Sequence, residues 1–223
     1  MERKFDEELT QVKQKLFAMA GIVLEMLVNS VKSLIQRDAE LARQTVEKDE
    51  EVNRYEVEIE NQCIQLIARY QPTASDLRTL MMIVKINKDL ERIGDHCQNI
   101  AQRALYLADK PLVKPYVDVP RMRDIAYGML KDSLDAFVQQ NSALALDVCR
   151  RDDEVDNLRD QVTRELITYM INDPTTIDRA IQSILNSRDL ERIADLATNI
   201  AEDVYYVLEG KSIAHSLGKK STS

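Results

Sequence analysis

The chain has 223 residues and a formal net charge of −8, a length that allows one large domain or two of ordinary size. Five glycines, five prolines and no tryptophan, set among abundant Leu, Ala, Glu, Arg, Lys and Gln, point to an all-α protein. The acidic balance gives no support to nucleic acid as a partner, and three widely spaced cysteines with only two histidines argue against a disulfide framework or a thiolate zinc site.

Apolar residues recur near the helical period in six segments. The first covers roughly 5 to 36. Its longest apolar run, Phe17 to Leu24, stops at Glu25 and is too short to cross a bilayer. With no secretory signal at the start, the expectation is a cytoplasmic chain without direct membrane insertion. The second segment opens after Asp38, a plausible N-cap, and runs to about Tyr70. Pro72 separates it from the third, which reaches about 109 and should bury Cys97 as the second buries Cys63. Pro111, Pro115 and Pro120 then mark a connector, because a helix cannot run through them. Segments at about 120–139, 142–172 and 175–209 follow. Thr73 and Thr175, each with Asp three residues later, resemble capping boxes whose hydroxyls accept from first-turn amides. The expected division is a first three-helix bundle at 1–110, a connector at 111–119, a second bundle at 120–210 and a disordered tail at 211–223.

The two halves are copies. Asp89-Leu90-Glu91-Arg92-Ile93-Gly94-Asp95 returns as Asp189-Leu190-Glu191-Arg192-Ile193-Ala194-Asp195, and Asp49-Glu50-Glu51-Val52-Asn53 parallels Asp152-Asp153-Glu154-Val155-Asp156. Glu91 and Asp95, like Glu191 and Asp195, stack one turn apart on a helix face, where like charges cost a few tenths of a kcal/mol. Helical geometry sets these acids outside the apolar face and lets them meet Asp49 and Asn53, or Asp152 and Asp156, across a shallow groove between antiparallel helices. Such a set of oxygen donors suits a hard or borderline cation: iron, manganese, magnesium or calcium, with zinc possible through carboxylates. The alternative is a pair of solvated acidic faces, with Arg92 and Arg192 pairing locally with Asp89, Asp95, Asp189 and Asp195. His96 has Leu196 as its counterpart and reads as an ordinary helix residue.

Enzymatic chemistry has little footing. No Glu-x-x-His pair, phosphate-binding loop or nucleophile elbow is present, and neither histidine belongs to a repeated constellation. A binding or regulatory protein is therefore expected over an enzyme, with a metal-storage or metal-dependent hydrolytic protein as the alternative.

The paired Leu-Glu-Arg-Ile-(Gly/Ala)-Asp motifs, the stretch Arg69-Tyr70-Gln71-Pro72-Thr73-Ala74-Ser75-Asp76-Leu77-Arg78 and the two-repeat layout resemble the PhoU family of bacterial phosphate-signalling regulators over residues 1 to about 210. That resemblance implies two similar three-helix bundles with multinuclear iron, or another metal, at surface Glu/Asp-x-x-x-Asp motifs. It also implies a cytoplasmic, often homodimeric regulator that restrains the phosphate ABC transporter, touching its ATPase subunit. When phosphate is plentiful, the resemblance implies, the regulator holds the phosphate regulon off through a sensor histidine kinase. Carried onto this chain, the metal positions are Asp49, Asn53, Glu91, Asp95, Asp152, Asp156, Glu191 and Asp195. Asn53 departs from the pattern by one charge, and Ala194 for Gly94 is a minor change.

Overall fold

The computed structural model describes residues 2–211, with side chains from residue 4 onward. Six α-helices account for most of it: α1 Glu2–Gln36, α2 Ala39–Tyr70, α3 Ala74–Leu107, α4 Asp118–Gln139, α5 Ser142–Asn172 and α6 Ile177–Glu209, with a 3₁₀ turn at Pro174–Thr176 ahead of α6. The expected all-α, duplicated architecture is what the chain adopts. α1, α2 and α3 pack together, as do α4, α5 and α6; α3 lies along α6 and α1 touches α4, so one apolar core runs through both halves. Within α1, Leu16, Met19, Val23, Met26, Leu27 and Val31 are fully buried, which gives this long apolar helix a place in the core. The segment expected to be a disordered tail lies outside the described residues beyond Lys211.

Helix ends follow local chemistry, with two corrections. Asp38 caps α2 as expected, accepting from the Leu41 amide at 3.0 Å. Thr73 precedes α3, but its hydroxyl donates to Asp76 Oδ2 at 3.2 Å and caps no amide. At the equivalent turn Asp173, not Thr175, is the acceptor, taking the Thr175 amide at 3.0 Å. A carboxylate is the stronger acceptor for an orphan amide, and Pro174 shapes the turn that brings it there. Among the described residues Arg37, Gln71 and Gln140 take positive φ of 58°, 47° and 51°; Gln71 and Gln140 terminate α2 and α4 in the left-handed conformation usually given to glycine.

The proline-rich connector is held from both bundles. Arg37 at the end of α1 donates to the Ala108 and Lys110 carbonyls at 2.9 and 2.8 Å, and Arg179 of α6 donates to the Pro111 carbonyl at 2.8 Å. These arginines satisfy carbonyls that no helix ladder can use. Pro120 sits in the first turn of α4, where a missing N–H costs nothing.

Candidate functional site

In the first half, α2 and α3 run antiparallel, and their register is fixed by Asn87 Nδ2, which donates to the Glu56 carbonyl at 2.9 Å, and by Lys88, whose Nζ lies 3.1 Å from Glu56 Oε1. Near Gly94 the helices come close: a Cβ there would stand 3.2 Å from Val52 Cγ1 and 3.5 Å from Asp49 Oδ1. Gly94 is thus more than a neutral counterpart of Ala194. Asp49, beside this bare backbone, is only 5% exposed.

Asp49 Oδ2 accepts from Asn53 Nδ2 at 3.0 Å, whereas buried Oδ1 has no hydrogen-bond partner. Burial raises the Asp49 carboxyl above its ordinary range, the charge of Asp95 raises it further, the Asn53 bond opposes this, and Glu91 adds to the rise. The three acids named from sequence therefore face one electrostatic neighbourhood, with Asn53 at its side. Lys88 closes the groove toward the helix tips through ion pairs with Glu91 at 3.0 Å and Glu56.

The second half repeats the arrangement with a different counter-charge. Burial pushes the Asp152 carboxyl up to about 6, helped by Asp195 and Asp156 and opposed by Thr198, whose hydroxyl donates to Oδ1 at 3.4 Å. Glu191 is also raised, by burial first and then by Asp195, with Arg192 and Arg159 opposing. Arg159 lies among these acids, 2.7 Å from Glu191 Oε1 and 3.3 Å from Asp156 Oδ1, and Arg192 pairs with Asp195 at 3.0 Å. Arg159 was not singled out from sequence, although its place three residues after Asp156 on the acidic stripe was a usable signal.

The residues present fit a cation better in the first groove. An orphaned buried carboxylate oxygen facing two further acids is the donor set a hard cation takes. Each groove already carries a counter-charge, Lys88 on Glu91 in the first and Arg159 on Glu191 and Asp156 in the second. As the side chains stand, no group of three or more His, Cys, Asp or Glu among the described residues encloses a metal position.

His96 departs from the expectation of an ordinary helix residue. Its Nδ1 lies 2.8 Å from Asp189 Oδ1, and the other carboxylate oxygen of Asp189 takes Arg103, which also reaches Asn186 Oδ1 at 3.3 Å. Asp189 thus pairs across the halves rather than with Arg192. In the first half the local pair Asp89–Arg92, at 3.6 Å, is present.

The description "PhoU domain" matches the chain twice, over residues 16–104 and 119–204, one match to each half. The chain is 43% identical over 212 residues to the phosphate-specific transport system accessory protein PhoU homolog of Aquifex aeolicus, covering 95% of this chain and 96% of that one. It is 34% identical to the Escherichia coli phosphate-specific transport system accessory protein PhoU, covering 95% and 88%. The crystal structure of PhoU from Pseudomonas aeruginosa superposes with a TM-score of 0.90 at 40% identity, over 93% of this chain and 100% of that one. The phosphate transport system regulatory protein PhoU from Streptococcus pneumoniae gives 0.86 at 30% identity, over 93% and 98%. Twice matched by the domain and alike along nearly its whole length, the chain belongs to the PhoU family.

Proposed function

We propose that this chain is an accessory regulator of phosphate transport, acting in the cytoplasm on the ATPase subunit of the phosphate ABC transporter and on a phosphate-sensing histidine kinase. Relatives at 34–43% identity are named accessory proteins of the phosphate-specific transport system, not enzymes, and the chain covers most of their length. The observation that carries the regulatory reading is the duplication itself. Two helical hairpins present the same acidic face, and neither gathers a nucleophile with a base.

The metal reading is supported by Asp49 Oδ1, which is buried without a partner beside the charges of Asp95 and Glu91. Asp49, Asn53, Glu91 and Asp95 would hold an ion in the first groove, and Asp152, Asp156, Glu191 and Asp195 in the second, with iron the leading candidate and zinc, manganese or magnesium as substitutes. A bound cation supplies positive charge that neutralises the groove seen by a partner. The protein's own residues do the rest. Burial raises the free energy of the uncompensated carboxylates, and Lys88 and Arg159 hold Glu91 and Glu191 in place.

The test replaces Glu91, Asp95, Glu191 and Asp195 by Ala and measures metal content together with a phosphate-regulon reporter. Loss of metal from folded protein, with the reporter switched on in high phosphate, is the expected result. Unchanged metal content removes these residues from the site, and a reporter that stays repressed removes the regulatory role of the groove.

A further inference from the structure

The acidic grooves do not end at the acids. Along α3, Leu77 and Met81 fall on the same helical stripe as Lys88 and Asp95, and the α2–α3 register set by Glu56 and Asn87 brings Ile64 level with Thr79, two residues from Met81. Along α6, Ile177 and Ile181 fall on the stripe of Asp195, and Ile167 of α5 occupies the place of Ile64. All six apolar side chains are large and stand 38–56% exposed. Each hairpin face is therefore apolar at its tip and acidic toward its middle, and the pattern occurs twice at equivalent positions. Single exposed apolar residues are ordinary; a patch repeated in both copies of a duplicated fold, continuous with the same charged groove, is a surface with a use.

We propose that each hairpin face docks a basic amphipathic helix of a partner protein, its apolar residues on the tip and its Lys or Arg residues over the acids. Charge selects this occupant. Acid outnumbers base in both grooves, where Lys88 in one and Arg159, Arg188 and Arg192 in the other answer only part of the carboxylate charge. An anionic lipid surface or a second copy of a chain with net charge −8 would bring like charge to the same place. From Leu77 to Asp95 the stripe runs about 27 Å at 1.5 Å per residue, the length of a five-turn helix laid along a groove. Because α3 and α6 are antiparallel, as the Lys85–Asp203 and Arg103–Asp189 pairs show, the two tips lie at opposite ends of the molecule. One chain thus offers two like sites. The inference supplies the partner chemistry for the regulatory reading and stands without a bound metal.

The probe is a synthetic helix of about 20 residues, with Leu and Ile on one face of its first half and Lys and Arg on the same face of its second half. It is titrated onto the full chain in chelator, so that loss of the metal sites leaves this result untouched. Two equivalents should bind, weakening with salt. Met81→Asp should leave one, and Met81→Asp with Ile181→Asp should weaken binding at least tenfold while the helical spectrum and melting stay unchanged. The milder pair Met81→Gln and Ile181→Gln serves if the charged pair disturbs folding. A peptide with Glu in place of Lys and Arg should not bind. No binding, equal binding of the Glu peptide, or binding indifferent to the substitutions overturns the proposal. It is also overturned if the substitutions halve the mass in solution, which makes the occupant a second copy, or if they abolish binding to vesicles rich in anionic lipid.

Discussion

Arg103 of α3 and Asp189 of α6 form an ion pair between the two halves of the molecule, and His96 approaches the same carboxylate 2.8 Å away. Both partners of the pair are largely buried, at 19% and 12% exposure. Removing one such partner strands the other, which costs more than the pair itself contributes. Asp189→Ala should destabilise the protein by about 2 kcal/mol, and His96→Leu, which copies the residue at 196, by clearly less. Urea unfolding of the two variants checks the order.

The left-handed backbone at Gln140 offers a gain in the other direction. An L side chain at φ 51° carries a cost of about 1 kcal/mol that glycine avoids. Gln140 is exposed and ends α4 with its amide bonded to the Ala136 carbonyl, a bond glycine keeps. Gln140→Gly should raise the melting temperature by a few degrees, on the order of what 1 kcal/mol produces in a chain of this size.

Much of this was legible in the sequence. Asp38 announced the start of α2, and three prolines announced the connector, since capping and the missing proline N–H act within a few residues. The acid pairs were legible because a duplication repeats them. What local spacing did not carry was contact between distant segments. Val52 and Asp49 pack against the bare backbone of Gly94, more than forty residues away, and Asp189 turns to Arg103 because α3 and α6 lie together. At Thr175 the misreading was one of competition, as Asp173 takes the Thr175 hydroxyl proton as well as its amide.

The Asp152 carboxyl, pushed up to about 6 by burial and then by its acidic neighbours, gives a pH signature in metal-free protein. The folded state holds this proton more tightly than the unfolded chain, whose Asp titrates near 3.9. Its contribution to stability therefore grows as pH falls through about 6 and levels off below about 4; above 6 the buried charge is a net cost. Asp152→Asn should stabilise chelated protein at pH 8 and lose that advantage by pH 4. Melting curves at the two pH values decide it.

The three thiols should be silent in the native state. Cys63, Cys97 and Cys149 are buried, and burial lifts Cys63 to about 11, Cys149 to about 12 and Cys97 higher still. The thiolate is the reactive form, so an alkylating reagent at pH 8 should label none of them until denaturant is added. Rapid labelling of Cys97 in folded protein would contradict the packing of α3.

Direct binding of the purified chain to the ATPase subunit of the phosphate transporter tests the central claim, measured by calorimetry in chelator and again after reloading with iron. Saturable binding that weakens on metal loading, and no longer responds to metal when Glu91, Asp95, Glu191 and Asp195 are replaced by Ala, is the result the account predicts. Folded protein that fails to bind the subunit in either state would contradict it.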